Sequence, residues 1–418
     1  MTGNVTSSRW LIIADDLTGA ADCGIAFAKR GLESVVAWDR HRDAGGVPVL
    51  SVDSGTRSLA PERAAKKQVE VLATHYRPGL ALYKKIDSTL RGQPAAELAG
   101  LLAFPPAQSD GHARLAIVAP AFPAAGRVTV DGRIVVQGVP LEETPLWARE
   151  HTYPSANLLE VLGSAGLSAE VLSLATIAQG TEAVKTHLTT ARARGVAAVV
   201  CDAKTEADLA SLAAGSLEMM NEAIYVGSAG FAAALASLDN DSAPAAQNPH
   251  DTAGRKSVLI VVGSLAEASR RQTKALVETG SVRHVVISPG VLFGGPSTPS
   301  WQERSKQLAL HLAAQEDVVL ELELAANPDF SCGIALASRM AEFVEGAGTF
   351  GGLVATGGDT VYALLSKLGV HSIRLLDEVE PGMPLGITVG AISIPVVTKA
   401  GAFGDAQSLC RSLKRLHC

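Results

Sequence analysis

The chain of 418 residues is long enough for roughly two or three domains, each with a sizeable hydrophobic core. Hydrophobic residues make up 47% of the chain and charged residues 19%, which argues against a disordered protein. The formal net charge of −6 argues against a bulk nucleic-acid binder, because such proteins carry strongly basic domains, but it leaves phosphate ligands open. Aromatic residues are sparse, at 4%, which favours an alanine-rich α/β enzyme over an all-β sandwich.

The five cysteines lie far apart, and no pair has the C-x-x-C spacing of a zinc or redox site, which indicates reduced thiols. The N-terminal sequence MTGNVTSSRW does not have the basic-then-apolar order of a secretory signal. No apolar stretch approaches the roughly 18 residues that a membrane helix requires. We therefore expect a soluble, cytoplasmic protein that binds neither nucleic acid nor membrane, and a homo-oligomer is left open.

From the N-terminus onward, short β-rich runs alternate with helical patterns, the order typical of parallel α/β architecture. A polar segment without periodicity, residues 239–255, interrupts this order and is interpreted as a linker. The predicted organisation is an N-terminal α/β domain over 1–240, a linker over 241–254 and a C-terminal α/β domain over 255–418. The predicted strands are 10–14, 34–38, 47–52, 80–86, 115–119, 197–202 and 222–226 before the linker, and 257–262, 284–287, 318–321, 352–356 and 394–398 after it.

Residues 127–138 stand apart, because two short β-runs flank Asp131 and Gly132, a strong hairpin signal. We expect this hairpin to extend the edge of the first domain's sheet. The sequence contains neither a Walker A loop nor an H-E-x-x-H motif. A G-x-G-x-x-G match at residues 346–351 follows a predicted helix and precedes a strand, the reverse of the dinucleotide-binding order, so a dehydrogenase is the least favoured class.

The first candidate motif is LIIADDLTGAADCG, residues 11–24, in which Asp15 and Asp16 follow an apolar strand and precede a helix. Ligands of parallel α/β sheets bind beyond the carboxyl ends of the strands, where a pair of carboxylates favours a metal, a hydroxyl or a basic partner. Asp16 is therefore a candidate to orient or deprotonate a substrate hydroxyl. The alternative is that one aspartate only caps the helix.

Two further strand ends carry polar groups. In residues 49–58, Arg57 can form a forked pair with a carboxylate, although a solvated surface arginine fits that segment equally well. Residues 82–92 combine cations for an anionic ligand with hydroxyl and carboxylate groups for a polyol, and the alternative is a solvated turn. Strand alternation places Lys85 and Asp87 on one face and Lys84 on the other. The polar residues of this segment are Lys84, Lys85, Asp87, Ser88, Thr89 and Arg91.

Three strand ends of the second predicted domain are rich in glycine. One strand ends at Gly263 and Ser264, a second runs into residues 357–360, and a third runs into residues 399–405. Glycine lets the backbone approach phosphate oxygens, and a helix N-terminus supplies N–H donors and the positive end of a dipole. Asp359 can hold Mg²⁺ or a ribose hydroxyl, so a nucleotide site is expected in this domain.

In chain order, these motifs and their neighbours resemble the four-carbon acid sugar kinase family over nearly the whole chain. The combination of ADDLTGA (14–20) with KKIDSTLRG (84–92) is the specific part of the resemblance. The last glycine motif departs from the family, since residues 399–404 read KAGAFG where many members have SGNFG. The other matching segments are DSGTRSL (53–59), VGSAG (226–230), VVGSLAEASRRQ (261–272), ATGGDT (355–360), PGMPLG (381–386) and TKAGAFGD (398–405).

The resemblance implies two α/β domains with largely parallel sheets and a cleft between them. The N-terminal domain would hold an acid sugar and the C-terminal domain ATP with Mg²⁺. The implied reaction is phosphoryl transfer from ATP to the terminal (4-) hydroxyl of D-threonate, D-erythronate or 3-oxo-tetronate. Asp16 is the candidate catalytic residue, and metal ligands are not assigned. The expected substrate-binding residues are Asp15, Asp16, Arg57, Lys85, Asp87, Ser88 and Arg91, and the expected nucleotide-binding residues are Ser264, Gly357, Gly358, Asp359, Thr360, Gly401 and Gly404.

Three alternatives to this interpretation remain at the sequence level. A kinase of a longer, branched or oxidised sugar acid would share the fold and the motifs. A non-catalytic sensor would bind a sugar acid between two lobes without transferring phosphate, but it has no need of the glycine-rich phosphate motifs. Asp16 itself is open to two roles, because it can act as a base or only bind the substrate. Closure of the two domains on their ligands is also expected.

Overall fold

The structure is a computed structural model, and it describes residues 9–38, 46–104, 113–149, 151–238, 257–324, 332–401 and 403–417. Contacts within the chain divide it into two units, Met1–Ala245 and Ala246–Cys418, and each is built from alternating strands and helices. The predicted α/β class is confirmed for both units. The segment predicted as a linker lies outside the described residues, so the exact domain boundaries stay predictions.

In the first unit, most predicted strands are found within one or two residues of their expected ends. The elements are β1 (Trp10–Ala14), α1 (Leu17–Ala28), β2 (Ser34–Ala37), β3 (Val49–Asp53), α2 (Pro61–His75), β4 (Ala81–Lys85), α3 (Pro94–Ala103), β5 (Leu115–Ala119), β6 (Arg127–Val130), β7 (Arg133–Val136), β8 (Val139–Pro140), α4 (Pro145–Arg149), α5 (Leu158–Gly163), β9 (Ala169–Leu172), α6 (Leu174–Ile177), α7 (Thr181–Ala193), β10 (Ala198–Cys201), α8 (Glu206–Ser216), β11 (Ala223–Gly227) and α9 (Ala229–Ala236).

The main sheet of the first unit is parallel, with the strand order β2-β3-β1-β4-β11-β5-β10-β9. In the register of its central strands, Ala14 of β1 lies opposite Asp53 of β3, and Ile13 lies opposite Lys84 of β4. The carboxyl ends of β3, β1 and β4 therefore adjoin at one edge of the sheet. This is the edge at which open α/β sheets bind their ligands.

Both faces of this sheet are buried, which explains why its strands are continuous apolar runs rather than alternating ones. Ile12 packs on the face that α1 covers, in the same cluster as Cys23 and Cys201. Ile13 packs on the opposite face, with the apolar side chains of α2 and α3. Both of these cysteine side chains are fully buried, and burial raises the pKa of each thiol.

The predicted hairpin at residues 127–138 forms, but its predicted position at the edge of the main sheet is wrong. β6, β7 and β8 make a separate antiparallel sheet, and the edge position belongs to β9, which the sequence pattern does not predict. The physical reason is Asp202, just after β10. Its carboxylate accepts hydrogen bonds from Asp131 N and Gly132 N at 2.9 Å each, so the hairpin turn is held beyond the carboxyl end of β10.

The second unit repeats the alternation of strands and helices with a different sheet order. Its elements are β12 (Val258–Val262), α10 (Glu267–Glu278), β13 (Arg283–Ile287), α11 (Pro289–Gly294), α12 (Pro299–Ala313), β14 (Val318–Leu322), α13 (Gly333–Glu345), β15 (Gly352–Thr356), α14 (Gly358–Lys367), β16 (Val370–Glu378), β17 (Pro384–Gly390), β18 (Pro395–Lys399) and α15 (Ser408–Leu416).

In this unit β13, β14, β12, β15 and β18 are parallel, whereas β17 is antiparallel to both β18 and β16. The sheet is largely parallel, as predicted, but the strand prediction omits the β16–β17 hairpin. Its turn carries a Pro381-Gly382 signal, with Gly382 at φ 82° and Met383 N bonded to Glu380 O at 2.9 Å. Among the described residues of the whole chain, no helix is long and apolar enough to span a membrane.

Candidate active site

Arg57 joins the carboxylates that follow β1. Its Nε and Nη2 donate to the two oxygens of Asp15, at 2.8 and 2.9 Å, and its Nη1 donates to Asp16 Oδ2 at 2.7 Å. The forked pair predicted for Arg57 is thus present, and its partner is within the chain. Burial of Asp15 by itself raises its pKa, but the neighbouring charges of Arg57 and Lys84 outweigh burial and leave the pKa of Asp15 below its ordinary value.

Asp16 caps α1, as the alternative reading of this motif proposed, and it also belongs to the charged network. Its Oδ1 accepts from Gly19 N at 3.0 Å, and its Oδ2 accepts from Thr18 Oγ1 at 2.7 Å as well as from Arg57. Gly19 leaves room for this arrangement, because a Cβ there would lie 2.5 Å from Asp16 Oδ1 and 3.1 Å from Lys85 Nζ. The N-terminus of α1 and Lys85 therefore meet at the same point.

The two lysines at the end of β4 point to opposite faces of the sheet, in line with strand alternation. Lys84 is fully buried on the side of α3, where its Nζ lies 2.7 Å from Glu97 Oε2. Thr56 Oγ1 donates to the other Glu97 oxygen at 2.5 Å, which links this pair to the loop after β3. Lys85 lies on the side of α1, where its Nζ donates to Ile86 O at 2.8 Å.

The turn after β4 folds Arg91 back onto Asp87. Arg91 Nε and Nη2 donate to the two oxygens of Asp87, at 2.9 and 3.0 Å, and Thr89 Oγ1 also donates to that carboxylate. Burial raises the pKa of Asp87, but Arg91 and Arg57 override it and hold this pKa well below its usual range. Leu90, at φ 59°, takes a left-handed conformation that is uncommon for a bulky residue, so the turn holds local strain.

Two charged residues of this region do not emerge from the sequence motifs. Arg127, at the start of β6, is buried and donates through Nη1 to Ser88 Oγ, across 39 positions of sequence. No local pattern could reveal that contact, because it depends on where the hairpin lies. Asp53, the last residue of β3, is buried as well. It had a usable signal, since it is a carboxylate at the end of an apolar strand next to β1.

In the second unit, the loops after β12, β15 and β18 come together. Gly357 N donates to Lys399 O at 2.9 Å, and a Cβ on Gly357 would lie 3.6 Å from the Cβ of Ser264. A Cβ on Gly401 would overlap Ser264 Oγ, just as one on Gly263 would overlap Thr360 Oγ1. The absence of side chains at these glycines is therefore what lets the three loops meet. The set of residues brought together here is Gly263, Ser264, Gly357, Thr360, Lys399 and Gly401.

α14 begins directly after Gly357, so the backbone N–H groups of Gly358 and Asp359 lie in its first turn, at the positive end of the helix dipole. Gly357 has φ 93°, a conformation that side-chain-bearing residues rarely adopt. This is the local geometry that binds phosphate in other α/β proteins. Among the described residues no cluster of three or more His, Cys, Asp or Glu side chains has the arrangement of a metal site.

Lys399 holds the glycine-rich loop that follows β18 through hydrogen bonds to its backbone. Its Nζ donates to three backbone carbonyls, those of Ala400 at 3.0 Å, Gly401 at 3.1 Å and Phe403 at 2.9 Å. Burial lowers the pKa of Lys399 to about 8, against the opposing charge of Glu380. Gly404 faces Ser408 and Glu380, because a Cβ there would overlap Ser408 Oγ and lie 2.6 Å from Glu380 Oε1. Gly404 thus packs against Ser408 at the start of α15 and against Glu380 in the turn between β16 and β17.

Two family models match the chain, a sugar-binding N-terminal domain over residues 10–235 and a nucleotide-binding C-terminal domain over residues 259–409. The D-threonate kinase of Cupriavidus necator is 39% identical over 409 residues, covering 96% of each chain. The D-threonate kinase of Salmonella typhimurium is 30% identical, covering 97% of each chain. The D-erythronate kinase of Heliobacterium modesticaldum is also 30% identical, covering 96% of each chain.

Solved structures resemble the whole chain at low sequence identity. A crystal structure from Salmonella typhimurium LT2, described provisionally as that of a tRNA synthase, matches with a TM-score of 0.79 at 19% identity, covering 98% of this chain and 99% of that one. A Haemophilus influenzae protein matches with a TM-score of 0.72 at 18% identity, covering 97% and 100%. At these identities the likeness shows the fold alone.

A charged site at the edge of a sugar-binding domain, together with a nucleotide-binding domain, defines a phosphotransferase that acts on a sugar-like substrate. Four relatives at 30% identity or more cover almost the full chain, and all four are named as kinases of four-carbon sugar acids. The chain belongs to the four-carbon acid sugar kinase family.

Proposed function

We propose that the protein transfers the γ-phosphoryl group of ATP to the terminal hydroxyl of a four-carbon sugar acid, with D-threonate as the preferred substrate. The observation that carries this proposal is the 39% identity, over 96% of both chains, to a D-threonate kinase. D-Erythronate and 3-oxo-tetronate follow as candidates, because relatives with those activities are 30% and 28% identical to this chain.

The proposed acid-sugar site is the carboxyl edge of β3, β1 and β4. A sugar acid presents one carboxylate and several hydroxyls, and the cations Lys85 and Arg127 suit the carboxylate, whereas the fork of Arg91 already engages Asp87. Asp16 is proposed to orient the attacking hydroxyl. Arg57 acts here mainly through the aspartates it holds, because its fork already engages Asp15. The proposed substrate-binding set remains Asp15, Asp16, Arg57, Lys85, Asp87, Ser88 and Arg91, with Arg127 added from the geometry.

The proposed nucleotide site is the meeting point of the glycine loops in the second unit. Ser264, Gly401 and residues 357–360 would surround the phosphates, with the N-terminus of α14 supplying N–H donors. Gly404 is proposed to shape the loop through its packing on Glu380 and Ser408. Mg²⁺ bound with ATP would neutralise charge on the phosphate oxygens, and Asp359 is the carboxylate of this set that suits it.

The direct test is ADP release by the purified protein with ATP and Mg²⁺ against the D- and L-forms of threonate and erythronate and against 3-oxo-tetronates. We expect turnover of D-threonate with kcat/KM on the order of 10⁴ M⁻¹s⁻¹ or above, the lower end for physiological substrates. Turnover of another acid in the panel would correct the substrate and keep the class. Thermal stabilisation by ATP with no turnover of any of these acids would move the substrate outside four-carbon acids.

The same panel separates the kinase from a sugar-acid sensor built on this fold. A sensor would be stabilised against heat by a sugar acid and would neither respond to ATP nor release ADP. The meeting of three glycine loops at the N-terminus of α14 favours the kinase, because a sensor has no use for a phosphate-binding site.

A further inference from the structure

Asp53 differs from the other aspartates of the proposed acid-sugar site. Asp15, Asp16 and Asp87 each form an ion pair with an arginine, at 2.7 to 2.9 Å. Within the described residues, no lysine or arginine forms an ion pair with Asp53, although its exposure is only 4%. One buried carboxylate of the site is thus left without a fixed positive partner.

Asp53 lies on the same face of the sheet as Asp16, the residue proposed to orient the hydroxyl. Ser51, two residues earlier in β3, donates through Oγ to Ala20 O in α1. Because residues two apart in a strand lie on the same face, Asp53 shares with Ser51 the face that α1 covers. Asp53 ends the strand opposite Ala14, one residue before Asp15. It is therefore next to the N-terminus of α1, which Asp16 caps.

Within the part of the chain that the structure describes, one of the two oxygens of Asp53 accepts a hydrogen bond. Oδ1 accepts from Gly55 N at 2.7 Å, and among the described residues nothing donates to Oδ2. By contrast, the two oxygens of Asp16 together accept from Gly19 N, Thr18 Oγ1 and Arg57 Nη1. Three donors fix the position of the Asp16 carboxylate, which suits it to orient a ligand, whereas Asp53 retains an oxygen that can receive a proton.

The surroundings of Asp53 also favour its role as a proton acceptor. Burial, followed by the negative charges of Asp16 and Asp15, raises the pKa of Asp53 to about 7, against the opposing effects of the Gly55 N–H and Arg57. From α2, Lys67 places its Nζ 3.5 Å from the carbonyl oxygen of Gly55, the residue whose N–H binds Asp53. A general base is most effective when its proton affinity matches the working pH, which is the situation of this carboxyl group.

We propose that Asp53 is the catalytic base, and that its Oδ2 accepts the proton of the terminal hydroxyl while Asp16 orients that hydroxyl. This rests on the proposed kinase function. The hydroxyl oxygen forms the bond to the γ-phosphorus as the bond from that phosphorus to the β,γ-bridging oxygen breaks. The electron pair of the broken bond leaves with ADP, and the proton passes from Asp53 to solvent after the phosphorylated acid departs.

The test is the pH dependence of kcat/KM for the wild-type protein and for Asp53→Asn, Asp53→Glu and Asp16→Asn, each at saturating ATP with the preferred acid. The base must be ionised, so we expect kcat/KM of the wild-type protein to be constant above about pH 7 and to fall about tenfold per pH unit below it. This decrease is the acidic limb of the pH profile. Asp53→Asn should lower kcat about 100-fold or more at pH 8, with KM for the acid nearly unchanged, and should remove the acidic limb.

The other variants separate a base from a residue that only supports the site. Asp53→Glu should recover part of the rate and keep an acidic limb, whereas Asp16→Asn should mainly raise KM for the acid and leave the limb in place. Asp208→Asn, at the exposed cap of α8, is the matched control and should reproduce the wild-type profile. An active wild-type protein whose Asp53→Asn variant keeps the rate or the limb would overturn this proposal and leave the kinase assignment intact.

A stability measurement tests the same carboxyl group without turnover. Its pKa is raised in the folded protein, so the wild-type protein loses stability as pH rises from about 4 to about 7, whereas the asparagine variant does not titrate there. Asp53→Asn should therefore melt at a higher temperature than wild type at pH 8, and the difference should shrink toward pH 4. Equal melting temperatures at both pH values would also overturn the proposal. If the wild-type protein shows this pH effect but phosphorylates no acid in the panel, the proposed transfer to a four-carbon acid fails instead.

Discussion

Arg57 shows how one side chain sets the charge state of a whole site. Its guanidinium reaches Asp15 and Asp16 directly and lies 4.0 Å from Asp87, so three carboxylates share one cation. Buried carboxylates are costly when their partner is removed, because the remaining charge has neither water nor a counter-ion. The residue is thus as important for the stability of this edge as for any ligand.

Replacement of Arg57 by methionine keeps an unbranched apolar stem and removes the guanidinium with its charge and donors. We expect the free energy of unfolding of the first unit to fall by about 3–5 kcal/mol at pH 7, because Asp15 loses its forked partner. Urea unfolding followed by circular dichroism measures this change.

The Arg57→Lys variant serves as the comparison, since it keeps the charge but cannot form the fork. Its free energy of unfolding should lie between those of the wild-type protein and Arg57→Met. The Arg57→Met loss should also shrink at low pH. The pKa of Asp15 is held below its ordinary value, so its ion pair stabilises the fold at neutral pH and is lost as acid protonates it. A loss that stayed constant down to pH 3 would contradict this account.

At the scale of elements, the β6–β7 hairpin matters because it carries Arg127 to Ser88. The turn is fixed from outside by Asp202, whose two oxygens hold two backbone N–H groups, and from inside by Gly132, where a Cβ would lie 2.8 Å from Leu159 Cδ1. The position of Arg127, one of the proposed substrate-binding cations, is therefore set by a carboxylate that itself lies outside the proposed substrate-binding set.

Substitution of Asp202 by alanine should loosen this attachment. We expect KM for the sugar acid to rise about tenfold, because Arg127 loses its fixed position, while KM for ATP stays the same. The lost hydrogen bonds should also cost about 1–3 kcal/mol of stability. Asp208→Ala is the matched control: it removes the aspartate that accepts from Thr205 N in the capping box of α8, should cost about 1 kcal/mol and should leave both KM values unchanged. An Asp202→Ala variant with a normal KM for the acid would separate the hairpin from substrate binding.

The sequence predicts the elements well where each one's own residues determine it. β1 begins and ends where its apolar run does, and the strand-end motifs cluster because parallel strands present their carboxyl ends at a common edge. β9 escapes prediction because its residues, AEVL, are mostly half-buried and carry no clear alternation. The contact from Arg127 to Ser88 depends on tertiary placement, which no pattern within residues 127–138 encodes.

At the scale of the whole molecule, the protein is a kinase of a four-carbon sugar acid whose two units each gather chemical groups at the carboxyl ends of their strands. The first unit gathers charged side chains, and the second gathers glycines and backbone N–H groups. This division suits the two substrates, because a polyol acid needs directed charge and hydrogen bonding, whereas phosphates need close approach to the backbone.

Gly401→Ala should affect one substrate and not the other. A Cβ at this position would overlap Ser264 Oγ and lie 3.4 Å from Ala266 Cβ, so the loop must move away from the start of α10. We expect KM for ATP to rise at least about tenfold and the thermal stabilisation by ATP to weaken, while stabilisation by the sugar acid persists. Gly346→Ala, at the end of α13, is the control, because a Cβ there meets nothing closer than 3.8 Å. Normal ATP binding by Gly401→Ala would place the phosphates elsewhere.

The two buried cysteines of the first unit, Cys23 and Cys201, allow unfolding of that unit to be detected by alkylation. The thiolate is the form that reacts with alkylating reagents, and burial both covers Cys23 and Cys201 and holds their thiols protonated. Cys332 and Cys410, in the second unit, are only half-buried and should be modified first. Iodoacetamide labelling, counted by mass spectrometry along a urea series, would then give the urea concentration at which the first unit unfolds. It would distinguish this transition from unfolding of the second unit without an engineered probe.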